Sequence, residues 1–217
     1  MILYGINLST FTRKVRLALL EKGIAYRLDV TPMGSEKIRA MHPLGQIPVL
    51  QDERLVIPDS SVIIAYLERI HPDRPLYPAA PAALAEALWL EEYADTQLRK
   101  VTLPFFAENV VKPLFQGKPG DPVALADAAV PRDQSFDWLE SRLRDACCAV
   151  GDVLTVADVA IGAQLVTYRQ GGGPLDEARW PRLARYAAGL FARPHWIPLL
   201  AEEQASLAAA RARRATG

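Results

Sequence analysis

Between His71 and Pro81 the chain carries four prolines, Pro72, Pro75, Pro78 and Pro81, and the hydrophobic pattern changes character across them. Such a stretch reads as a linker. It divides the chain into an N-terminal domain at 1–78, a linker at 79–84 and a C-terminal domain at 85–217. Before the prolines, short apolar or alternating runs intervene between amphipathic ones. ILYG at 2–5 reads as a buried strand, and 26–31 alternates as a strand does. IPVLQ and RLVI read as two strands around a turn at Asp52–Glu53. Phe11, Val15, Ala18 and Leu19 share one helical face that Gly23 terminates. SEKIRAMH forms a short helix, with a turn marked by Pro43 and Gly45. Val62, Ile63, Tyr66, Leu67 and Ile70 form a second helical stripe. The order is βαβαββα, a small mixed sheet with helices on its faces.

After the linker everything reads helical. A long segment from Ala82 to Phe115 spaces Trp89, Leu90, Tyr93, Leu98 and Phe105 for burial, with a bend expected near Pro104. Residues 116–131 read as a loop-like interruption. Helices follow at 135–150, 155–170, 180–192 and 197–211, and the tail RARRATG is expected to fray. Half of the residues are apolar, enough for a sizeable core. Lys+Arg and Asp+Glu are both 25, so no basic excess points to nucleic acid or an anionic membrane surface. No apolar run reaches the roughly 20 residues of a membrane helix. Cys147 and Cys148 are adjacent in a stretch read as helical. They are too few for a disulfide framework and are read as packed or idle. With a start, MILYGINLST, that lacks the pattern of a signal peptide, the expected location is the cytoplasm. No metal site is expected.

Three segments carry chemistry. Ser9-Thr10-Phe11-Thr12-Arg13-Lys14-Val15-Arg16 lies where the first strand meets the first helix. Gly45-Gln46-Ile47-Pro48-Val49-Leu50 places a proline at the opening of a strand. Asp59-Ser60 begins the helix before the linker. Together with Gly151–Asp158 and Trp180-Pro181…Arg193-Pro194, they make the sequence resemble the soluble glutathione transferases, in particular serine-type bacterial members. The resemblance covers most of the chain. It implies an α/β thioredoxin-like N-terminal domain and an all-α C-terminal domain. It also implies glutathione as co-substrate, a small-molecule electrophile as second substrate, a role in detoxification, and a homodimer.

By that resemblance Ser9 is the catalytic residue. A neutral thiol is a poor nucleophile. A helix N-terminus and a hydroxyl donating to the sulfur favour the thiolate. The plain alternative is that Ser9, Thr10 or Thr12 simply caps the helix, and the choice among the three hydroxyls stays open. The resemblance implies a cis Pro48, with the Ile47 backbone pairing with the cysteinyl part of glutathione and Gln46 contacting its glycyl end. An ordinary trans-proline opening an edge strand is the alternative. Ser60 would bind the γ-glutamyl carboxylate and Asp59 the γ-glutamyl ammonium, while also capping the helix. His42 reads as a loop residue. Thr155 and Asp158 read as a capping pair, and Phe105, Phe106 and Tyr168 as core.

Two other activities compete. A glutathione-dependent isomerase of the zeta type would carry a Ser-Ser-Cys run where this chain has Ser9-Thr10-Phe11. A non-catalytic binding or scaffold protein of the same fold need keep neither Ser9 nor the Asp59-Ser60 pair. A cysteine at position 9 or a C-x-x-C would point to reductase chemistry, and the sequence has neither.

Overall fold

Ile2–Gly5 (β1) is the strand on which the first unit is assembled. The structure, a computed structural model, describes residues 1–53, 55–143 and 147–215. β1 pairs in parallel with Arg27–Val30 (β2) and antiparallel with Val49–Asp52 (β3). β3 in turn pairs antiparallel with Leu55–Pro58 (β4), giving the sheet order β2-β1-β3-β4. The parallel pair needs a crossover, supplied by Thr10–Lys22 (α1). Glu36–Met41 (α2) and Ser60–Ile70 (α3) complete the order βαβαββα. Arg54, within the expected RLVI strand, lies outside the described residues.

α1 is more deeply buried than its apolar stripe suggests. Val15, Leu17, Ala18 and Leu19 are fully buried, Phe11 is half-buried, and the polar Thr12, Arg13, Lys14 and Arg16 are buried too. Gly23 ends the helix at φ +70°, where a side chain would be strained. α1 packs on α3. The Lys22 ammonium meets Glu68 at 2.6 Å, and Glu68 also accepts the Leu76 and Tyr77 N–H groups, fastening the end of this unit. The buried stripe of α3 is Ile63, Ile64 and Leu67. Val62 and Ile70, expected on the same face, are exposed. Positions 60, 63, 64 and 67 keep the i, i+3, i+4, i+7 rule about an axis rotated from the expected one. Tyr66 is tied at its hydroxyl to Asp52 (2.6 Å).

The chain divides into two compact units, Met1–Tyr77 and Pro78–Gly217. The second unit opens with Pro81–Tyr93 (α4), so regular helix begins inside the segment read as linker at 79–84, with Pro81 at a first-turn position where its missing N–H costs nothing. A π-helical stretch at Ala94–Leu98, Arg99–Phe106 (α5) and a second π stretch at Ala107–Gln116 follow without a break. The irregularities therefore flank Pro104, and Pro113 lies in the second. Leu90, Leu98 and Phe105 are buried as expected. Trp89 is instead half exposed, stacked on Tyr93 and edge-on to Trp138.

The expected loop at 116–131 shrinks to 117–121. Asp121 accepts the Val123 N–H (2.8 Å) and starts Pro122–Arg142 (α6), which carries Pro131 inside it. An N-cap aspartate followed by proline is a helix start. Cys147 and Cys148 lie in a bend after α6, not in a helix, and residues 144–146 of the expected 135–150 helix are outside the described set.

Val156–Gly172 (α7) is buried from Val156 to Tyr168 and is the axis of this unit. Pro181–Phe191 (α8) and Trp196–Ala215 (α9) complete it, and the expected frayed tail is helical to Ala215. The Tyr168 ring packs edge-on against Phe105 and Phe136, and Phe106 is also buried, so these rings are core.

Before α7, the carboxylate of the fully buried Asp158 accepts four hydrogen bonds. They come from the Thr155 N–H (2.7 Å), the Thr155 hydroxyl (3.1 Å), the Ala149 N–H (2.7 Å) and the Tyr186 hydroxyl (2.7 Å). Burial pushes the Asp158 carboxyl above its ordinary range, and the four donors oppose that. Elsewhere, the Trp180 indole and Arg179 hold Asp137 below the carboxylate range, and Lys112 with the Asp121 N–H does the same for Glu108. Their folded values lie below the unfolded ones, so their stabilisation is present above the unfolded values and lost as pH falls through the folded ones.

Asp158→Ala strands buried donors at three places. It should cost about 3 kcal/mol or more of stability in urea denaturation. A change within about 0.5 kcal/mol, the range of an ordinary surface substitution, would remove Asp158 from its place as the anchor of α7.

Candidate functional site

Val49 pairs with Tyr4 on one side and Pro58 on the other. That register sets the end of β1, the start of β3 and the end of β4 at one end of the sheet. The three chemistry-bearing segments leave from there: Ser9 follows β1, Ile47–Pro48 precedes β3, and Asp59–Ser60 follows β4. β2 ends at the same place, with the Thr31 N–H donating to the Gly5 carbonyl at 3.0 Å.

At the first segment, Ser9 is extended (φ −74°, ψ 124°) and its Oγ accepts the Thr12 N–H at 3.3 Å. Its carbonyl accepts the Arg13 N–H (2.8 Å) and its own N–H donates to the Ile6 carbonyl (3.1 Å). The hydroxyl is a helix cap through a lone pair, which leaves its proton to donate elsewhere. Ser9 and Thr10 are half-buried. Thr12 is fully buried, and its Oγ1 has no hydrogen-bond partner. It packs on Gly5, where a Cβ would overlap both Oγ1 and the methyl group. Of the three hydroxyls, Thr12 faces the interior.

The second segment is a tight turn. Gly45 sits at φ +64°, its N–H donating to the His42 carbonyl and its carbonyl accepting the Gly34 N–H, both at 2.8 Å. His42 is buried, with Nδ1 accepting the Leu44 N–H (3.1 Å), so it serves the turn. Gln46 is exposed, Ile47 half-buried and Pro48 buried, and the Ile47–Pro48 peptide is cis. The strand that follows is internal to the sheet, not an edge: β3 lies between β1 and β4. The Ile47 backbone therefore stands just before the ladder rather than along an open edge.

At the third segment, Asp59 has φ +78°, rare for a residue with a side chain. Its Oδ1 accepts the N–H groups of Ser61 (2.9 Å) and Val62 (3.1 Å), and its carbonyl accepts that of Ile63 (3.0 Å). Asp59 thus takes every first-turn N–H after that of Ser60, whose side chain is buried. The fully buried Lys14 of α1 donates from Nζ to Ser61 Oγ at 2.9 Å, joining α1 to the start of α3. Sequence reasoning passes over Lys14, because a lysine in an amphipathic helix reads as solvent-facing and nothing in the local pattern says otherwise.

The arrangement presents two helix N-termini, two serines and a turn backbone at one sheet end. Helix N-termini carry a partial positive charge, so this end favours an anionic group. Among the described residues no cluster of three or more His, Cys, Asp or Glu forms a metal-binding group, and no helix is long and apolar enough to cross a membrane.

Residues 3–75 match the family model described as glutathione S-transferase, N-terminal domain. A glutathione S-transferase of Pseudomonas putida is 26% identical over 220 residues, covering 95% of this chain and 94% of the other. Among solved structures, a glutathione S-transferase from Rhodospirillum rubrum F11 superposes with TM-score 0.84 at 27% identity, over 91% of this chain and 90% of that one. One from Methylobacterium radiotolerans, in complex with glutathione sulfonate, gives TM-score 0.75 at 28% identity, over 92% and 93%.

The Gly5–Thr12 contact yields a paired expectation. Gly5→Ala should lower stability by about 1–3 kcal/mol through overpacking. Thr12→Val replaces an unsatisfied buried hydroxyl by a methyl group and should be neutral or stabilising. Thermal denaturation of both variants checks this, and a strongly destabilised Thr12→Val would mean that the hydroxyl has a partner.

Proposed function

We propose that the chain, whose residues 3–75 match the glutathione S-transferase N-terminal domain, is a member of the glutathione S-transferase family, binds glutathione at the sheet end where α1 and α3 begin, and activates its thiol for attack on an electrophilic small molecule. The observation that carries this reading is the double pairing of Val49, which gathers all three expected segments at one place.

Each residue has a role fitted to its geometry. Ser60 offers its hydroxyl and N–H at the first turn of α3 to the γ-glutamyl carboxylate. Asp59 uses Oδ1 for capping and keeps Oδ2 for the ammonium group. The Ile47 backbone, outside the ladder, pairs with the cysteinyl unit, and Gln46, exposed beside it, meets the glycyl end. Ser9 accepts from Thr12 and donates to the sulfur, assisted by the N-terminus of α1. A hydrogen bond to a charged group is worth about 1.5–3 kcal/mol. At roughly 1.4 kcal/mol per pKa unit, Ser9 lowers the thiol pKa by about one to two units, enough to make thiolate a major species near neutrality. The serine donates and is not deprotonated.

The active assembly in this reading is a homodimer in the cytoplasm, where glutathione is reduced. Exposed Val62 on α3 and exposed Leu88 and Trp89 on α4 are apolar surface that a second copy would cover. Light scattering should return twice the 23.9 kDa chain mass, and a monomer mass at micromolar concentration contradicts the assembly.

Calorimetry and turnover test the site. Ser60→Ala should weaken glutathione binding about ten- to a hundredfold. Ser9→Ala should keep the affinity and slow conjugation to an activated aryl halide at neutral pH by about ten- to a hundredfold. Unchanged affinity in a correctly folded Ser60→Ala protein sinks the γ-glutamyl assignment. Glutathione binding with no turnover of any electrophile tried leaves the chain a binding protein.

A further inference from the structure

The two cysteines of the chain, Cys147 and Cys148, take no part in the site above. Both are free thiols, Cys147 exposed and Cys148 buried, and their sulfurs lie 3.4 Å apart. Neighbours on a helix point about 100° apart around its axis, so the bend at 147–150 is what brings the sulfurs together. That bend is held from both sides. The Ala149 N–H donates to Asp158 Oδ1 at 2.7 Å, and the Cys147 thiol lies 3.7 Å from the Asp152 carbonyl.

We propose that Cys147 and Cys148 form a reversible vicinal dithiol–disulfide couple, oxidised by hydroperoxides, whose closure loosens the Asp158 anchor of α7. Cys147 is the exposed sulfur and attacks first. Burial and the Asp158 carboxylate push the Cys148 thiol up to about 12, so it stays protonated until it resolves the intermediate. The Cys147 thiolate attacks the O–O bond of the hydroperoxide. The departing alkoxide takes a proton and leaves as an alcohol, and Cys147 becomes a sulfenic acid. Protonated, Cys148 is a poor nucleophile, so it gives up its proton toward the departing oxygen as its sulfur, 3.4 Å away, attacks the Cys147 sulfur. An S–S bond forms, hydroxide departs, and the Cys148 proton completes it to water. Two thiols lose two electrons and two protons, and one hydroperoxide is reduced to alcohol and water.

The geometry favours a switch over a staple. Closure brings sulfurs now 3.4 Å apart to about 2.05 Å. Adjacent Cα atoms are about 3.8 Å apart across a trans peptide, less than the roughly 4.4 Å lower bound of ordinary disulfides. The bond is therefore strained and readily reduced. The strain falls on the 147–148 peptide, one residue from the Ala149 N–H that Asp158 holds.

The reduced full-length protein treated with one equivalent of cumene hydroperoxide provides the test, read by intact mass under non-reducing conditions. The expected product has lost two hydrogens, has no alkylatable thiol, runs as a single chain on a non-reducing denaturing gel, and returns to the starting mass with dithiothreitol. Its thermal midpoint is several degrees below that of the reduced form. Cys148→Ser should stop at a dimedone-reactive sulfenic acid, and Cys147→Ser should stay unmodified. The wild-type mass needs no variant, so the folding of Cys148→Ser does not decide the matter. Gain of oxygen by the wild type, a disulfide between chains, or two thiols still alkylatable overturns the couple. An unchanged thermal midpoint on clean oxidation overturns its link to Asp158.

Discussion

The position of β3 between β1 and β4 is the constraint on which the site depends. Were β3 at an edge, only one of its neighbours could share its starting end. Because Val49 is paired on both sides, the exit from β1, the entry to β3 and the exit from β4 meet. Each exit then turns into a helix whose N-terminus points the same partial charge at the same place. The Lys14–Ser61 hydrogen bond joins α1 to the first turn of α3, so α1 and the start of α3 are not positioned independently. An anion held at Ser60 and a sulfur held at Ser9 would be placed by one rigid frame.

Capping and ligand binding are not rivals in this frame. Ser9 spends a lone pair on Thr12 and keeps its proton. Asp59 spends one carboxylate oxygen on Ser61 and Val62 and keeps the other. The positive φ of Asp59 is a local cost of the order of 1 kcal/mol or more, and the two N–H bonds at Oδ1 offset part of it. Position 59 is therefore where backbone strain, helix capping and proposed ammonium binding coincide.

The order βαβαββα is legible in the sequence because strand and helix periods differ and glycine and proline mark the joints. Ser9, Pro48 and Asp59-Ser60 stand out as residue types suited to helix starts and a turn. The departures have physical causes. Pro131 closes the stretch read as a loop, yet it lies inside α6, whose start is written at Asp121–Pro122. The stripe through Val62 and Ile70 satisfies helical spacing as well as the true one through Ile63, Ile64 and Leu67. Only packing chooses between them. Burial of Arg13 and Lys14 has no local signature, because periodicity reports apolar faces and not where a polar face is covered. The two cysteines read as helical from the residues around them, and the bend that joins their sulfurs is held by contacts to Asp152 and Asp158 further along the chain.

Thiolate absorbance of the binary complex with glutathione, titrated against pH, tests the central claim most directly, because it reports the sulfur and not the anchoring groups. The account predicts that glutathione bound to the wild-type protein ionises about one to two pH units lower than in solution, and that Ser9→Ala moves the midpoint back toward the free value while glutathione remains bound. A bound thiol that titrates as in solution, or a lowered midpoint untouched by Ser9→Ala, contradicts it.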